Sequence, residues 1–434
     1  MMIDRTKSPA LQSFEDLKFD YPKYITLSNG VRLYVLNYGD QDVNRLEILY
    51  RGGVLEEDKP LQAMVLASML VHGSDEYSSE QVSEILDYNG SYMNASCQDH
   101  YTQITLSSLN QNFENVLPVL KSVLSSPAIP EQEFQLLMSQ IKSAYRNARE
   151  RVKYLSQMAM RGLYYGENHP FAHVVCDEDV DALTIADVKA FHSKYYHPEN
   201  SIIILSGKVG DKEISSIEKY FGNDYLQGEV VEFVKKERCP SSEKQKVVDK
   251  EGALQASVFM AQDAVPRNHP DYIKLRILIT ALGGYFGSRL MQNIREDKGY
   301  TYGISASLLG RMDGAKVVIT SECDTAYTYL LIEEVKQEIR KLQGELISNE
   351  ELEIVKNYML SDLAKVLDSP FSMASVASSN ILYATGEDYH NRQAEELKSI
   401  TPEELKRVAN RYLDADNFYV AIAGDAKQLK LYSK

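Results

Sequence analysis

Arg295 and Tyr302 are the two side chains of this sequence best suited to act together on a polar ligand. The segment SRLMQNIRE predicts a short helix that carries Arg295, and the following DKG predicts a turn, after which Tyr302 opens a strand. The two side chains can therefore converge. Arginine offers a planar fork of donors for carbonyl or carboxylate oxygens, and tyrosine offers one directional hydroxyl. A structural interpretation stays open, in which Arg295 pairs with Glu296 or Asp297 and Tyr302 packs at a strand end.

The histidines are the candidates for metal ligands. His72 and His100 could meet if the elements that carry them are neighbours, although the simpler interpretation places His72 at the end of a helix and His100 at an exposed strand end. His169 and His173 have the spacing of one helical face, but Pro170 disfavours helical backbone at His169. We therefore expect His169 and His173 to lie in a loop.

Three glycines, Gly283, Gly284 and Gly287, precede the arginine segment and invite comparison with a phosphate-binding loop. Such a loop requires a lysine after the glycines and a strand that feeds into them, and the sequence has neither. We expect these glycines to permit close packing and positive φ beside the turn.

An internal repeat predicts how these residues are positioned. LTIADVKAFHSKYYHPENSIIILSGK, which contains Thr184, aligns without gaps with ITPEELKRVANRYLDADNFYVAIAGD, which contains Thr401, at an offset of 217 residues. In both copies a threonine N-cap with an acidic residue three positions later opens an amphipathic helix. A turn and a β-rich run that stops at glycine then follow. The chain is therefore predicted to contain one domain written twice.

The order of predicted elements gives an α+β fold, in which each of two homologous domains has an antiparallel-rich sheet with helices packed on one face. One long helix is expected near 131–165. The predicted boundaries are a first domain over 1–225, a charged linker over 226–248 with a proline and paired serines, and a second domain over 249–434.

Composition narrows the function classes. A net charge of −15 argues against binding of nucleic acid, which requires a basic face. No stretch approaches 18 apolar residues, so no membrane span is expected. The N-terminal MMIDRTKSPALQSF lacks the apolar run of a secretory signal, which favours a cytoplasmic protein, or a periplasmic one if a signal has been removed.

Two passages resemble the insulinase/pitrilysin zinc peptidases, the inverted zincins, which include mitochondrial processing peptidase. LGGYFGSRLMQNIREDKGYTYGISA resembles the family's glycine-rich turn followed by the arginine and tyrosine motif. HGSDEYSSEQVSEILDYNGSYMNASCQDHYT resembles the passage that follows the family's H-x-x-E-H helix. The resemblance implies a duplicated peptidase fold over nearly the whole chain.

The zinc-binding motif itself is missing. By this resemblance the three H-x-x-E-H positions fall on Met64, Ala67 and Ser68, none of which is a good zinc ligand. Active members add a glutamate from a later helix, but FQLLMSQIKSAYRNAR contains no acidic residue. The sequence therefore predicts no cofactor in this chain, with zinc expected in a partner subunit.

The resemblance also assigns roles to the residues that are kept. In active members the equivalents of Arg295 and Tyr302 reach across to the zinc site, bind substrate backbone and stabilise charge on the attacked carbonyl. The segment Asn94, Ala95 and Ser96 matches the family's edge strand, onto which a peptide adds as an extra strand.

The sequence thus predicts a non-catalytic subunit of a heterodimeric zinc metallopeptidase. The chain would close a chamber against a homologous zinc-bearing subunit and supply Arg295 and Tyr302 in trans to peptide or unfolded polypeptide substrates. One alternative is a purely structural relative, similar to the family's inactive core subunits in respiratory complexes. A second alternative is a zinc protease with a non-standard metal site.

Overall fold

The structure, a computed structural model, describes residues 17–223, 226, 228–312 and 314–432. The N-terminal segment that favours a cytoplasmic protein lies outside the described residues, so the predicted compartment stays a prediction. No helix of the described segments is long and apolar enough to cross a membrane.

Two sheets organise the chain, one in each half. The first has the strand order β1-β2-β6-β3-β5-β4 and the second has the order β7-β11-β8-β10-β9. The strands of the first sheet are β1 (Lys23–Thr26), β2 (Arg32–Asn37), β3 (Val43–Arg51), β4 (Tyr92–Cys97), β5 (Tyr101–Leu109) and β6 (Ser201–Gly207). The strands of the second are β7 (Gln245–Asp249), β8 (Gln255–Ala264), β9 (Thr301–Arg311), β10 (Gly314–Asp324) and β11 (Tyr419–Gly424).

The α-helices of the first half precede and follow its strands in the predicted order. They are α1 (Gln62–Met69), α2 (Ser79–Tyr88), α3 (Phe113–Ser125), α4 (Glu131–Arg149), α5 (Val152–Tyr165), α6 (Asp177–Ala182), α7 (Ile185–Tyr195) and α8 (Asp211–Phe221). Those of the second half are α9 (Tyr272–Ile279), α10 (Thr328–Gly344), α11 (Asn349–Leu367), α12 (Pro370–Tyr383), α13 (Tyr389–Ser399), α14 (Pro402–Tyr412) and α15 (Ala426–Leu431).

The duplication is visible in the sheets. Without β1, the two strand orders are equivalent, and each sheet has its parallel pair at the same place, β2 with β6 and β7 with β11. The repeated segments form α7 with β6 and α14 with β11. The Thr184 hydroxyl caps α7 by accepting from Asp187 N, and the Thr401 hydroxyl caps α14 by accepting from Glu404 N. The predicted duplicated α+β fold is therefore confirmed.

The long helix predicted near 131–165 is two helices. Arg151 has extended backbone (φ −99°, ψ 125°) and separates α4 from α5. The break redirects the chain, because α4 stays with the first half while α5 packs on β8 and β11 of the second sheet. In the linker region, residues 228–244 form no helix or strand, and β7 begins at Gln245, inside the predicted linker.

The helix equivalent to α5 in the second half makes the reciprocal contact. Helix α12 packs on β2 and β6 of the first sheet, where Ala374 lies against Leu49 and Ile204. Each sheet therefore has one face covered by helices of its own half and the other face covered in part by a helix from the opposite half. The prediction of helices on one face described only the first of these two layers.

Candidate functional site

Arg295 lies in a π-helical segment, Met291–Asp297, that leads directly into β9. The turn between them is closed by backbone bonds, in which Gly299 N donates to Arg295 O and Tyr300 N donates to Ile294 O. Gly299 has φ +64°, a left-handed conformation that glycine adopts without strain. This turn places Arg295 and Tyr302 at the same end of the second sheet.

The side chain of Arg295 is about one-third exposed, at 32%. Its guanidinium forms an ion pair with Glu296 at 3.4 Å and lies over the ring of Phe286, 4.6 Å from the ring centroid. The ion pair matches the structural interpretation. It is local and solvent-accessible, however, and such pairs stabilise a fold very little. The guanidinium can therefore exchange Glu296 for a ligand at small cost.

The structural interpretation expected Tyr302 to pack at the strand end, but it does not. Its side chain is 90% exposed on β9, whereas the preceding Thr301 is buried and donates its hydroxyl to Glu322 O at 2.6 Å. In the described part of the chain, Tyr302 has no hydrogen bond, and it makes no direct contact with Arg295. The structure thus presents both side chains to solvent without joining them.

The glycines before this segment serve close packing. A Cβ on Gly283 would lie 2.7 Å from Ala306 on β9, so only glycine lets this turn approach the strand. The expectation of positive φ was wrong for Gly283, Gly284 and Gly287, because the left-handed residue of this region is Gly299.

The positions that would hold zinc lie on α1. Ala67 is buried, and the Ser68 hydroxyl donates to Met64 O at 2.9 Å, as is common within helices. Met64 lines a cavity of about 620 Å³, which is also lined by Tyr145 of α4. Among the described residues no three His, Cys, Asp or Glu side chains are grouped to hold a metal ion. This donor set therefore does not fit a catalytic zinc.

The histidines do not assemble an alternative site in the described ranges. His72 lies 3.7 Å from Glu133, and His100 lies 3.2 Å from Glu56, so each has its own carboxylate. His100 was expected at an exposed strand end, but it is only 8% exposed and its ring packs edge-on against Phe233 of the linker. Aromatic packing from a segment distant in sequence accounts for the difference.

His169 and His173 flank a short 3₁₀ turn, Pro170–Ala172, and do not share a helix, as the sequence predicts. The Nδ1 atom of His169 accepts a bond from Phe171 N. His173 Nε2 lies 2.8 Å from an oxygen of Asp179. Both are therefore engaged in local structure.

The predicted substrate strand lies at a sheet edge. Asn94, Ala95 and Ser96 belong to β4, which pairs with β5 and is the last strand in the order of the first sheet. Asn94 is exposed and the next two residues are half-buried. An edge strand can accept another strand through its backbone groups. The geometry is compatible with peptide addition, which stays a prediction.

Sequence reasoning missed the charged groups of the cavity beside Met64. Glu57, Asp99, Tyr145 and Arg161 come from four separate segments, so no local motif relates them. Burial raises the pKa of Glu57 to about 7, although its carboxylate accepts bonds from Leu61 N and Ala63 N. No periodicity or spacing in the sequence indicates this cluster.

Comparison with known proteins now assigns the family. Residues 52–172 match the profile described as "Insulinase (Peptidase family M16)", and residues 182–359 match "Peptidase M16 inactive domain". The chain belongs to the insulinase (M16) peptidase family. It is a member without the zinc motif, in agreement with the sequence prediction.

The relatives of this M16 chain include a protein described as a zinc protease and one described as a non-peptidase homolog. It is 22% identical over 400 residues to the "Uncharacterized zinc protease YmxG" of Bacillus subtilis, covering 91% of this chain and 96% of the relative. It is 24% identical over 266 residues to the "Non-peptidase homolog YmxG" of Helicobacter pylori, covering 60% of each.

Solved structures share the M16 fold. The peptidase M16 inactive domain from Pseudomonas fluorescens has a TM-score of 0.85 at 19% identity, covering 93% of this chain and 98% of that one. A chain of Complex III2 from Candida albicans has a TM-score of 0.73 at 17% identity, covering 93% and 95%.

Proposed function

We propose that this chain is the non-catalytic subunit of a two-chain zinc metallopeptidase, in which it supplies Arg295 and Tyr302 in trans. The observation that carries the proposal is a contrast between the halves. The described residues of the first half contain no ligand set for zinc, whereas the second half presents an accessible arginine and a tyrosine that is 90% exposed. A polar pair displayed without a metal of its own suits a site completed by another chain.

The chemistry follows from the donor types. When bound in the partner, zinc would polarise the scissile carbonyl and activate water. The guanidinium of Arg295 would donate to substrate carbonyl oxygens, and the hydroxyl of Tyr302 would donate to the oxygen on which charge develops. Donors of this kind, once they are held in place in the assembled site, are often the largest single contribution to catalysis. Peptide added to β4 would be held by backbone bonds, so little side-chain specificity is required there.

A purely structural role is the second candidate, and the resemblance of fold to a chain of Complex III2 favours it. A scaffold, however, has no need of a solvent-exposed Tyr302 at the same end of the sheet as an accessible Arg295. The two candidates differ in what Arg295 and Tyr302 do once the chain is assembled with a zinc-bearing homologue.

The first prediction concerns those two residues. In the complex with an H-x-x-E-H homologue from the same genome, Arg295→Ala and Tyr302→Phe should each lower peptide turnover by about 10²–10³. Arg295→Lys should rescue only in part, because an ammonium lacks the fork of a guanidinium. The measurement is the turnover number per intact heterodimer, with assembly monitored by size-exclusion chromatography.

Matched controls separate this effect from general damage. Tyr88→Phe removes a hydroxyl from a tyrosine that is 89% exposed, and Arg340→Ala removes a surface arginine paired with Asp416. Both control complexes should turn over at the wild-type rate. Unchanged turnover in the Arg295 and Tyr302 variants would end the catalytic proposal and favour the scaffold. Failure of the chain to assemble with any such homologue would also favour the scaffold.

A further inference from the structure

The cavity beside α1 occupies the place where the zinc motif has been lost. Its lining includes Glu57 and Met64 near the start of the first helix, Asp99 from the turn after β4, Tyr145 of α4 and Arg161 of α5. With a volume of about 620 Å³, it has room for one or two amino-acid residues. Its charged side chains were not used by the function proposed above.

Arg161 is a cation of this lining without a counterion. Within the described residues its guanidinium makes no hydrogen bond or ion pair. Burial lowers the pKa of Arg161, and the charge of nearby Arg311 lowers it further. Arg161 is half-buried, so its unpaired guanidinium is partly removed from water at some cost in free energy, which an incoming anion would offset.

Three acids line the cavity, and one of them, Glu167, is solvent-exposed and lies 3.7 Å from Lys246. The other two are also engaged. Asp99 attracts Arg161 from beyond ion-pair distance and is itself bound to Arg311. The carboxylate of Glu57 accepts from Leu61 N at 3.0 Å and Ala63 N at 2.8 Å. Neither acid therefore neutralises Arg161, and both would repel a polyanion such as phosphate more strongly than a monoanion.

Tyr145 supplies a second donor on the same cavity. Burial raises the pKa of Tyr145, and its hydroxyl lies within electrostatic reach of both Glu57 and Arg161. No hydrogen bond of this hydroxyl occurs in the part of the chain that the structure describes. An unused phenolic donor beside an unpaired guanidinium forms a site with three N–H or O–H donors for one planar anion.

We propose that this cavity binds a carboxylate of an extended peptide, with the fork of Arg161 on its two oxygens and the Tyr145 hydroxyl as a further donor. The inference deepens the proposed function, on which it rests for the peptide. Asp99 lines the cavity and follows β4 by two residues, so the cavity lies close to the end of the edge strand to which a peptide would add. The carboxylate is either the C-terminus of the peptide or an aspartate or glutamate side chain.

Binding of three short probes to the purified full-length chain tests the proposal. The probes are an N-acetylated hexapeptide of alanine and serine with a free C-terminal carboxylate, its C-terminal amide, and the amide with one glutamate at the fifth position. Because a charge-assisted pair contributes about tenfold or more in affinity, isothermal titration calorimetry should rank the amide weakest by that factor. Tight binding of only the free acid assigns the site to chain ends, and tight binding of the glutamate amide assigns it to acidic side chains.

Variants of Arg161 and Tyr145 test whether these residues cause the preference for a carboxylate. Arg161→Gln should lower the affinity for the preferred acidic probe by about tenfold or more and leave the affinity for the plain amide unchanged. Tyr145→Phe should act in the same direction by a smaller factor. Arg146→Gln is the matched control, because Arg146 is an exposed arginine of α4 that pairs with Asp177. Arg161→Lys keeps the charge and tests the site if the glutamine variant unfolds below the assay temperature.

The outcomes separate this inference from the proposed function. Equal affinity for all three probes, or an unchanged preference in Arg161→Gln and Arg161→Lys, overturns the carboxylate site. Neither result alters the expected turnover of the Arg295 and Tyr302 variants in the complex. Conversely, a carboxylate preference in the isolated chain that disappears with Arg161 supports the site even where those variants are fully active.

Discussion

At the scale of single residues, the structure distinguishes side chains that stabilise the fold from those left available. Thr301 and Tyr302 are adjacent, yet Thr301 is bonded to Glu322 O and Tyr302 projects into solvent. The residue types and the turn before them were readable from the sequence, because DKG and the strand pattern are local signals. Their exposure was not, since it depends on which strand lies at the edge of the finished sheet.

Glu57 supports a prediction about pH at the same scale. Its pKa is raised to about 7, so between roughly pH 5 and 7 the folded chain binds more protons than the unfolded chain. The free energy of unfolding should therefore fall as pH rises through this interval, by on the order of 1–3 kcal/mol. Glu57→Gln keeps only one of the two acceptor oxygens that bind Leu61 N and Ala63 N, so it should lower the free energy of unfolding at every pH. Because glutamine does not titrate, it should also flatten the dependence on pH.

Urea denaturation at pH 5, 6, 7 and 8 measures how the free energy of unfolding depends on pH. Glu80→Gln is the control, because the pKa of Glu80 is lowered by the backbone and side-chain hydrogen bonds at the N-terminus of α2. Glu80 is mostly ionised in both the folded and the unfolded chain from pH 5 upward, so its removal should change the slope very little. A wild-type slope that persists in Glu57→Gln would show that another group titrates.

At the scale of elements, the sequence predicted most helices and strands because amphipathic period, caps and glycines are local. It joined α4 and α5, because the polar stretch between them shows no proline or glycine and only the contacts of α5 with the second sheet require the break. The cavity beside Met64 could not be predicted for the same reason, because it depends on contacts between elements that are distant in sequence. Met64 and Tyr145 line the same cavity only because α1 and α4 both contribute to the hydrophobic core of the first half.

This packing predicts that a zinc site can be rebuilt by side chains alone. The wild-type chain should contain no stoichiometric zinc. Met64→His with Ser68→His places two imidazoles one helical turn apart, and Tyr145→Glu adds a carboxylate from α4. The triple variant should hold about one zinc per chain after dialysis, measured by atomic absorption. The double variant Met64→His with Ser68→His, which lacks the carboxylate, should lose most of its zinc during dialysis.

Two results would contradict this account of α1 and α4. If the triple variant folds but retains no more zinc than wild type, the two helices do not keep the spacing of a metal site. If instead the wild-type chain retains about one zinc that is lost in His72→Ala or His100→Ala, the non-standard metal site becomes the correct interpretation.

At the scale of the whole molecule, the two halves exchange helices. Ser156 of α5 shares a hydrogen bond with Ser257 of β8, and Tyr164 donates to Asp263 at 2.5 Å. On the opposite side, Arg45 of β3 donates to Phe371 O and to the Ser375 hydroxyl, both on α12. The repeat in sequence predicted two similar halves but not this exchange, because an amphipathic helix does not specify which of two equivalent sheets it covers.

The exchange predicts how the chain responds to a cut in the linker. Lys235 and Lys236 are exposed within residues 228–244, which form no helix or strand, so limited trypsin digestion should cleave there first. The two fragments should stay together, because separating them would uncover the apolar faces of α5 and α12 and both sheet surfaces beneath. Denaturing gels should show two fragments, while size-exclusion chromatography with light scattering should show one particle with the mass of the intact chain.

A chain in which Lys235, Lys236 and Arg238 are replaced by glutamine is the control and should resist that first cut. Fragments that separate in native buffer would mean that the exchanged helices contribute little, and each half should then refold alone. The exchange also bears on assembly, because a subunit whose halves are bound through α5 and α12 would meet its partner as one body. A nicked chain should therefore still assemble with a zinc-bearing homologue, and its affinity for that homologue should match that of the uncut chain.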